Sequence, residues 1–198
     1  DKALYKLAWA YYRSDRFLDG VREFDVLVKY ADEQKEKTGK FGSELRVEAI
    51  QYLGISFAEE DWDGDTLPDD EQGIQRIQKF YGGARDKEPH VAEVYQRLGD
   101  IYFEINKYPE AIAVYKLVLQ KWPMRSDGPD AQNRIITALE RDRKFEEAIK
   151  ERENFTKFFG IGTEWESKNR GDPDAIRKAR EFDEQSLIQA AVFHHKAA

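Results

Sequence analysis

The sequence predicts an all-α chain, a solenoid of about four helical hairpins followed by a final helix, and three observations predict it. Apolar residues recur at helical spacing in paired runs, small residues stand where the two helices of a pair must cross, and such pairs follow one another along nearly all 198 residues. A single helix of this kind would leave its apolar stripe wet, whereas paired and stacked stripes form one continuous core. The length allows one continuous domain with a sizeable core.

Residues 2–34 supply Leu4, Leu7, Ala8, Tyr11, Phe17, Gly20, Phe24 and Leu27 as two helical stripes, with Ala8 and Gly20 as the small pair at the crossing. Residues 44–81 open with Ile50, Leu53, Gly54 and Phe57; their second helix is expected over Asp70 to Tyr81 with Ile74, Ile77 and Phe80 inward, after an acidic insertion. Residues 91–123 hold the clearest pair. Tyr95, Leu98, Gly99 and Tyr102 fall at i, i+3, i+4 and i+7, and after a polar break Tyr108, Ala111, Tyr115 and Val118 lead to Pro123. Residues 129–159 keep Ile135, Leu139, Phe145, Ala148 and Phe155 in a looser version, with Arg152 at a normally apolar place. A glycine-rich break from Gly160 to Gly171 follows. The last helix is expected over 174–196, with Ile176, Ala179, Phe182, Leu187, Ala190 and Phe193 apolar and no partner helix.

In residues 94–123, Tyr95, Leu98, Gly99, Tyr102, Ala111, Tyr115 and Pro123 resemble, in register, the sparse pattern of the tetratricopeptide repeat. The resemblance implies a right-handed superhelical α-solenoid whose first helices line a concave groove that binds other proteins. The hairpin starts at Leu4, Ile50, Tyr95 and Gln132 lie 46, 45 and 37 residues apart, longer than the usual period of about 34. The extra length sits in segments 35–43, 61–70 and 82–90. Such long, irregular spacing is similar in style to tetratricopeptide proteins of the bacterial cell envelope, which favours the periplasm over the cytoplasm as an address. The abrupt ends are those expected of a fragment of a longer chain, and the unpaired last helix is a candidate for self-association.

If the groove is lined as the resemblance implies, its outward positions are Tyr5, Trp9 and Tyr12 in the first hairpin and Glu48, Gln51, Ile55 and Glu59 in the second. Gln96 and Phe103 follow in the third and Asn133 in the fourth. Tyr5, Trp9 and Tyr12 stand out because aromatic anchors dominate protein recognition and solvent-facing helix positions normally hold polar residues. They serve equally as surface for a preceding helix to cover. The amides Gln51, Gln96 and Asn133 can both donate to and accept from an extended peptide backbone. The Lys/Asn clamp that some members of the family use for a partner's C-terminal carboxylate is absent.

The insertion DWDGDTLPDDEQ places Asp61, Asp63, Asp65 and Asp69 at positions one, three, five and nine of a calcium-type loop, with the Leu67 carbonyl at seven. It resembles the loops of thrombospondin type 3 and EF-hand-like repeats, with Glu71 or Gln72 to close the shell, but Thr66 stands where glycine makes the sharp turn and the twelfth position is Gln72 instead of a bidentate acid. A solvated acidic loop is the other reading. No cofactor is required by the sequence; a calcium ion in residues 61–72 is the one candidate.

Composition and motifs narrow the function classes. With 32 basic against 39 acidic residues the net charge is −7, which repels nucleic acid and anionic lipid. No apolar run approaches the roughly 20 residues of a spanning helix. The absence of cysteine excludes disulfides and thiolate metal sites. His90, His194 and His195 lie apart from any triad or ligand spacing, and no glycine-rich phosphate loop is present. The expectation is a non-enzymatic scaffold that binds a partner protein or peptide in an envelope or motility-type assembly. The alternative is a platform or regulatory domain of a larger, multidomain protein, one with catalytic domains elsewhere.

Overall fold

The structure, a computed structural model, describes residues 1–197, and every regular element among them is helical. The helices are α1 (Lys2–Tyr12), α2 (Phe17–Thr38), α3 (Arg46–Ala58), α4 (Gly73–Phe80), α5 (Val91–Glu104), α6 (Tyr108–Lys121), α7 (Gly128–Arg141), α8 (Phe145–Phe159), α9 (Glu164–Lys168) and α10 (Pro173–Ala197). A 3₁₀ turn, Gly83–Lys87, precedes α5. The chain divides into two compact units, Asp1–Ile105 and the part from Asn106 onward.

In the first unit α1 packs on α2, α2 on α3 and α3 on α5, with α4 against α3 and α5. Gly20 lets α2 cross close to α1, since a Cβ there would lie 3.3 Å from the Ala8 carbonyl oxygen, a tight contact. Phe24, Leu27, Leu53, Phe57 and Ile77 are fully buried. Leu7, expected inward, is 41% exposed; the core of α1 is carried by Ala8. α2 runs past its expected end at 34 to Thr38, where Gly39 at φ +77° stops it with a left-handed cap. α4 starts later than expected, where Gln72 caps it through a capping box with Gln75, and Gly73 at its first turn is pressed against Phe57 and Tyr102 with no room for a side chain.

The second unit is built on α6, α7, α8 and α10, each packed on its neighbour. Ile136, Phe155, Phe159, Trp165 and Ala179 form its buried cluster, with Leu119, Ile176 and Phe182 packed around it. The glycine-rich break is therefore partly structured: α9 is capped by the Thr163 hydroxyl and inserts Trp165, whose indole N–H donates to the Arg125 carbonyl at 2.7 Å. α10 lies on α8 and α7, fixed by Asp183, which accepts from the Thr156 hydroxyl, and by Lys178 paired with Asp130. The expectation of an unpaired last helix is corrected, and with it the reason for expecting self-association through it. Phe145 and Leu187, expected in the core, are 55% and 53% exposed, whereas Arg152 at its apolar place ties to Glu140 at 2.6 Å.

Three connections share one backbone device. Asp15, Asn106 and Arg143 have φ of +57°, +63° and +60°, each two residues before the helix that follows. The next residue is basic and the next aromatic in every case: Arg16 and Phe17, Lys107 and Tyr108, Lys144 and Phe145. Within the units, at Asp15 and Arg143, the left-handed residue reverses the chain, and the amides of Arg16 and Lys144 then donate back to the carbonyls of Tyr11 and Leu139. After α3 the insertion replaces this device.

Candidate protein-interaction face

α1 and α3 present one face of the first unit. The Tyr5 hydroxyl donates to Glu48 at 2.6 Å and the Tyr12 hydroxyl to Glu59 at 3.3 Å. Both rings also have apolar support. Tyr5 meets Phe24 edge-on, and Tyr12 meets Phe17 and Tyr52, which itself stacks on Phe24 with ring centres 5.3 Å apart. Half-exposed aromatics held in this way lose little conformational freedom when a partner arrives. Trp9 lies between them on α1, half-buried, with the Arg13 guanidinium 4.9 Å from its ring centre. Tyr52 was not foreseen; it adjoins Gln51 on α3.

The electrostatics of this face are acidic. Burial, reinforced by Glu48, pushes the Tyr5 phenol well up, and burial with Glu59 pushes Tyr12 up to about 12. Burial together with Asp15, Glu60 and Asp61 raises the Glu59 carboxyl above the usual carboxylate range, against the Tyr12 hydrogen bond, which lowers it. The other expected groove residues divide. Gln51 and Ile55 on α3 and Gln96 on α5 are half-buried, and the Gln96 Oε1 atom is buried without a hydrogen-bond donor. Phe103 is only 5% exposed. It is core rather than groove, because a large aromatic in the last turn of α5 gains more from burial than from a wet surface. Asn133 is half-buried on α7, in the second unit.

The acidic insertion is anchored at its ends and wet at its tip. Trp62 stacks on Phe57 with centres 5.6 Å apart and on Phe17 at 6.3 Å. Arg76, buried on α4, donates to the carbonyls of Glu59 and Glu60 and pairs with Asp69. Asp61, Asp63 and Asp65 bring carboxylate oxygens within 4.8 Å of one another. Thr66 adopts φ +76° at the place where the calcium-loop pattern has glycine. Asp61 accepts the amides of Gly64, Asp65 and Thr66, and Asp65 accepts that of Leu67. The Leu67 side chain is 64% exposed. Asp69 is not brought to the other three, since it is held by Arg76 and the Trp62 amide. The residues present thus fit about half of a calcium shell.

A buried polar cluster escaped sequence reading. The His90 imidazole and the Tyr81 hydroxyl each lie 2.9 Å from Asp25 Oδ1, Arg85 donates to Oδ2 at 2.6 Å, and Lys29 pairs with Asp25 and Glu88. Burial opposes the Asp25 charge, but His90, Arg85 and Tyr81 outweigh it and hold the carboxyl below its usual range. Nucleophile and metal chemistry are poorly served here, because two cations already neutralise the acids. The second unit has an apolar hollow of about 530 Å³ lined by Leu119, Met124, Gln132, Phe158, Phe159 and Trp165.

Helical hairpins with small residues at their crossings, repeated within the chain, define a repeat protein of the helix-pair class. Residues 93–123 match the family model described as tetratricopeptide repeat, so this stretch of the chain carries such a repeat. No curated protein and no solved structure matches it. No helix among the described residues is long and apolar enough to cross a membrane.

Proposed function

We propose that this chain is an interaction scaffold that binds a segment of another protein on the α1–α3 face through Tyr5, Trp9 and Tyr12, with Gln51, Ile55 and Gln96 beside them. The repeat type supports protein binding in general, since the family is an interaction module rather than a catalytic one. The observation that carries the assignment to this face is that two of its aromatics are braced from beneath by rings and from the side by carboxylates while remaining part-exposed. Hot spots are aromatic, central and preorganised in this way. The test is capture of a partner by wild type and by Trp9→Ala, with the helical circular-dichroism signal as a folding control. Loss of the same partner with unchanged helicity supports the reading, and undiminished capture overturns it. An envelope or motility-type assembly is the setting we favour, on the long hairpin spacings alone; a platform within a larger protein is the alternative.

A second reading concerns calcium. Asp61, Asp63 and Asp65 converge, and the left-handed Thr66 lets the loop wrap as such loops do. With Asp69 held elsewhere, the expected affinity is weak, a dissociation constant of about 10⁻⁴ M or above. Terbium, a calcium substitute excited through the adjoining Trp62, should luminesce on titration, and Asp61→Asn with Asp63→Asn should abolish the signal. Silence from the wild-type loop rejects the site.

A further inference from the structure

We infer that the segment recognised by the α1–α3 face is basic, carrying two cationic side chains about 16 Å apart. This rests on the binding role of that face proposed above. Glu48 stands in the first turn of α3 and Glu59 is the residue that caps its C-terminus, eleven residues on, which is three turns or about 16 Å of helical rise. Each accepts a hydroxyl from a tyrosine of α1, and neither has an ion-pair partner among the described residues. The acids of α5, the next helix over from α3, are neutralised: Glu93 by Arg46, Glu104 and Asp100 by Arg97.

The imbalance grows toward the Glu59 end. Asp15 and Asp61 act on Glu59 from the α1–α2 turn and the insertion, and Gly64 of the same insertion lies against the Asp15 backbone. The cation of this end, Arg76, is committed to Asp69 and two carbonyls. Of the cations on α1, Lys2 and Lys6 are exposed near its start, and Arg13 is stacked over Trp9. A face with two unpaired carboxylates flanked by aromatic rings suits ammonium or guanidinium groups, which gain from the carboxylate and from the ring face. In an extended chain at about 3.3 Å per residue, 16 Å is about five residues. A Lys-x-x-x-x-Lys spacing therefore matches the backbone separation of Glu48 and Glu59, the two carboxylates that would receive its cations. The family's known carboxylate clamp selects the opposite charge.

The experiment is fluorescence anisotropy of two labelled synthetic peptides, Lys-Ser-Gly-Ser-Gly-Lys and Glu-Ser-Gly-Ser-Gly-Glu, with the purified chain in chelator. The variants are Glu48→Gln/Glu59→Gln and Trp9→Ala, each checked for helicity. The lysine peptide should bind wild type at least about tenfold more tightly than the glutamate one. That preference should shrink with added salt and vanish in the double glutamine variant. Equal binding of the two peptides, no binding of the lysine peptide, or lysine binding that survives Glu48→Gln/Glu59→Gln would each overturn the inference. Partner capture that depends on Trp9 but is indifferent to the double glutamine variant overturns the charge class while leaving the binding face intact.

Discussion

The two units solve one problem differently. Each has a place where a regular helix pair is interrupted, by the insertion between α3 and α4 in the first and by the glycine-rich stretch after α8 in the second. The first unit closes its gap with charge: Arg76 grips the insertion, and Asp25 gathers Tyr81, Arg85 and His90 behind the short α4. The second closes its gap with a single large ring, Trp165, seated among Phe155, Phe159 and Ile136. An apolar plug tolerates truncation poorly but is indifferent to pH, whereas a buried ionic knot depends on every partner and on protonation. The difference can be tested one substitution at a time.

The largest effect is expected from Trp165→Ala. The ring is 2% exposed, and its removal empties the centre of the second unit and orphans the Arg125 carbonyl. The cost should be about 3–5 kcal/mol, read by urea denaturation. A loss below about 1 kcal/mol would show that α9 is an ornament on a core held by Phe155 and Phe159 alone.

Next comes Asp25→Asn, which leaves Arg85 and Lys29 facing a neutral amide and should cost about 2–3 kcal/mol at neutral pH. The sign of its pH dependence follows from the depressed folded-state pKa of Asp25. Its stabilisation is fully present above the unfolded-state value of about 3.9 and is lost as pH falls through the lower folded value. Denaturation midpoints followed from pH 5 downward should therefore fall more steeply for wild type than for Asp25→Asn, so that the two curves converge in acid. Parallel curves would mean that the knot does not titrate and that the contrast between the units is one of packing only. Trp165→Ala should shift the whole curve without changing its slope.

What the sequence revealed follows the same division. Stripes such as Tyr95, Leu98 and Tyr102 were legible because helical periodicity is local. Asp25 and His90 are 65 residues apart, so their pairing leaves no local trace. Trp165 was hidden by its glycine-rich flanks and by a helix too short to show a period. Phe103 and Phe145 were read to the wrong side because periodicity gives a helix face but not which neighbour covers it. At the interaction face, Tyr5, Trp9 and Tyr12 could be named as outward, yet their bracing by Glu48, Glu59 and Tyr52 depends on the α1–α3 approach. One missed signal was available. The recurrence of a polar residue, a base and an aromatic at Asp15, Asn106 and Arg143 marks the starts of α2, α6 and α8 as clearly as the apolar stripes mark the helices.

That recurrence supplies the smallest effect and the one most nearly shared by both units. A left-handed backbone costs little for aspartate or asparagine, whose side chains tolerate it, and more for arginine. Arg143 is exposed, so its side chain gives nothing back through burial. Arg143→Gly should raise stability by about 0.5–1 kcal/mol, because relief of the strain exceeds the added freedom of the unfolded chain. Asp15→Gly should change it by less, since aspartate already suits the position and the glycine adds unfolded-state entropy. Thermal melts of the two variants side by side are the check. A larger gain at Asp15 than at Arg143 would mean that the acid there, close to Gly64 and Glu59, is destabilised by charge rather than by backbone, which would itself measure the negative field at the end of the proposed binding face.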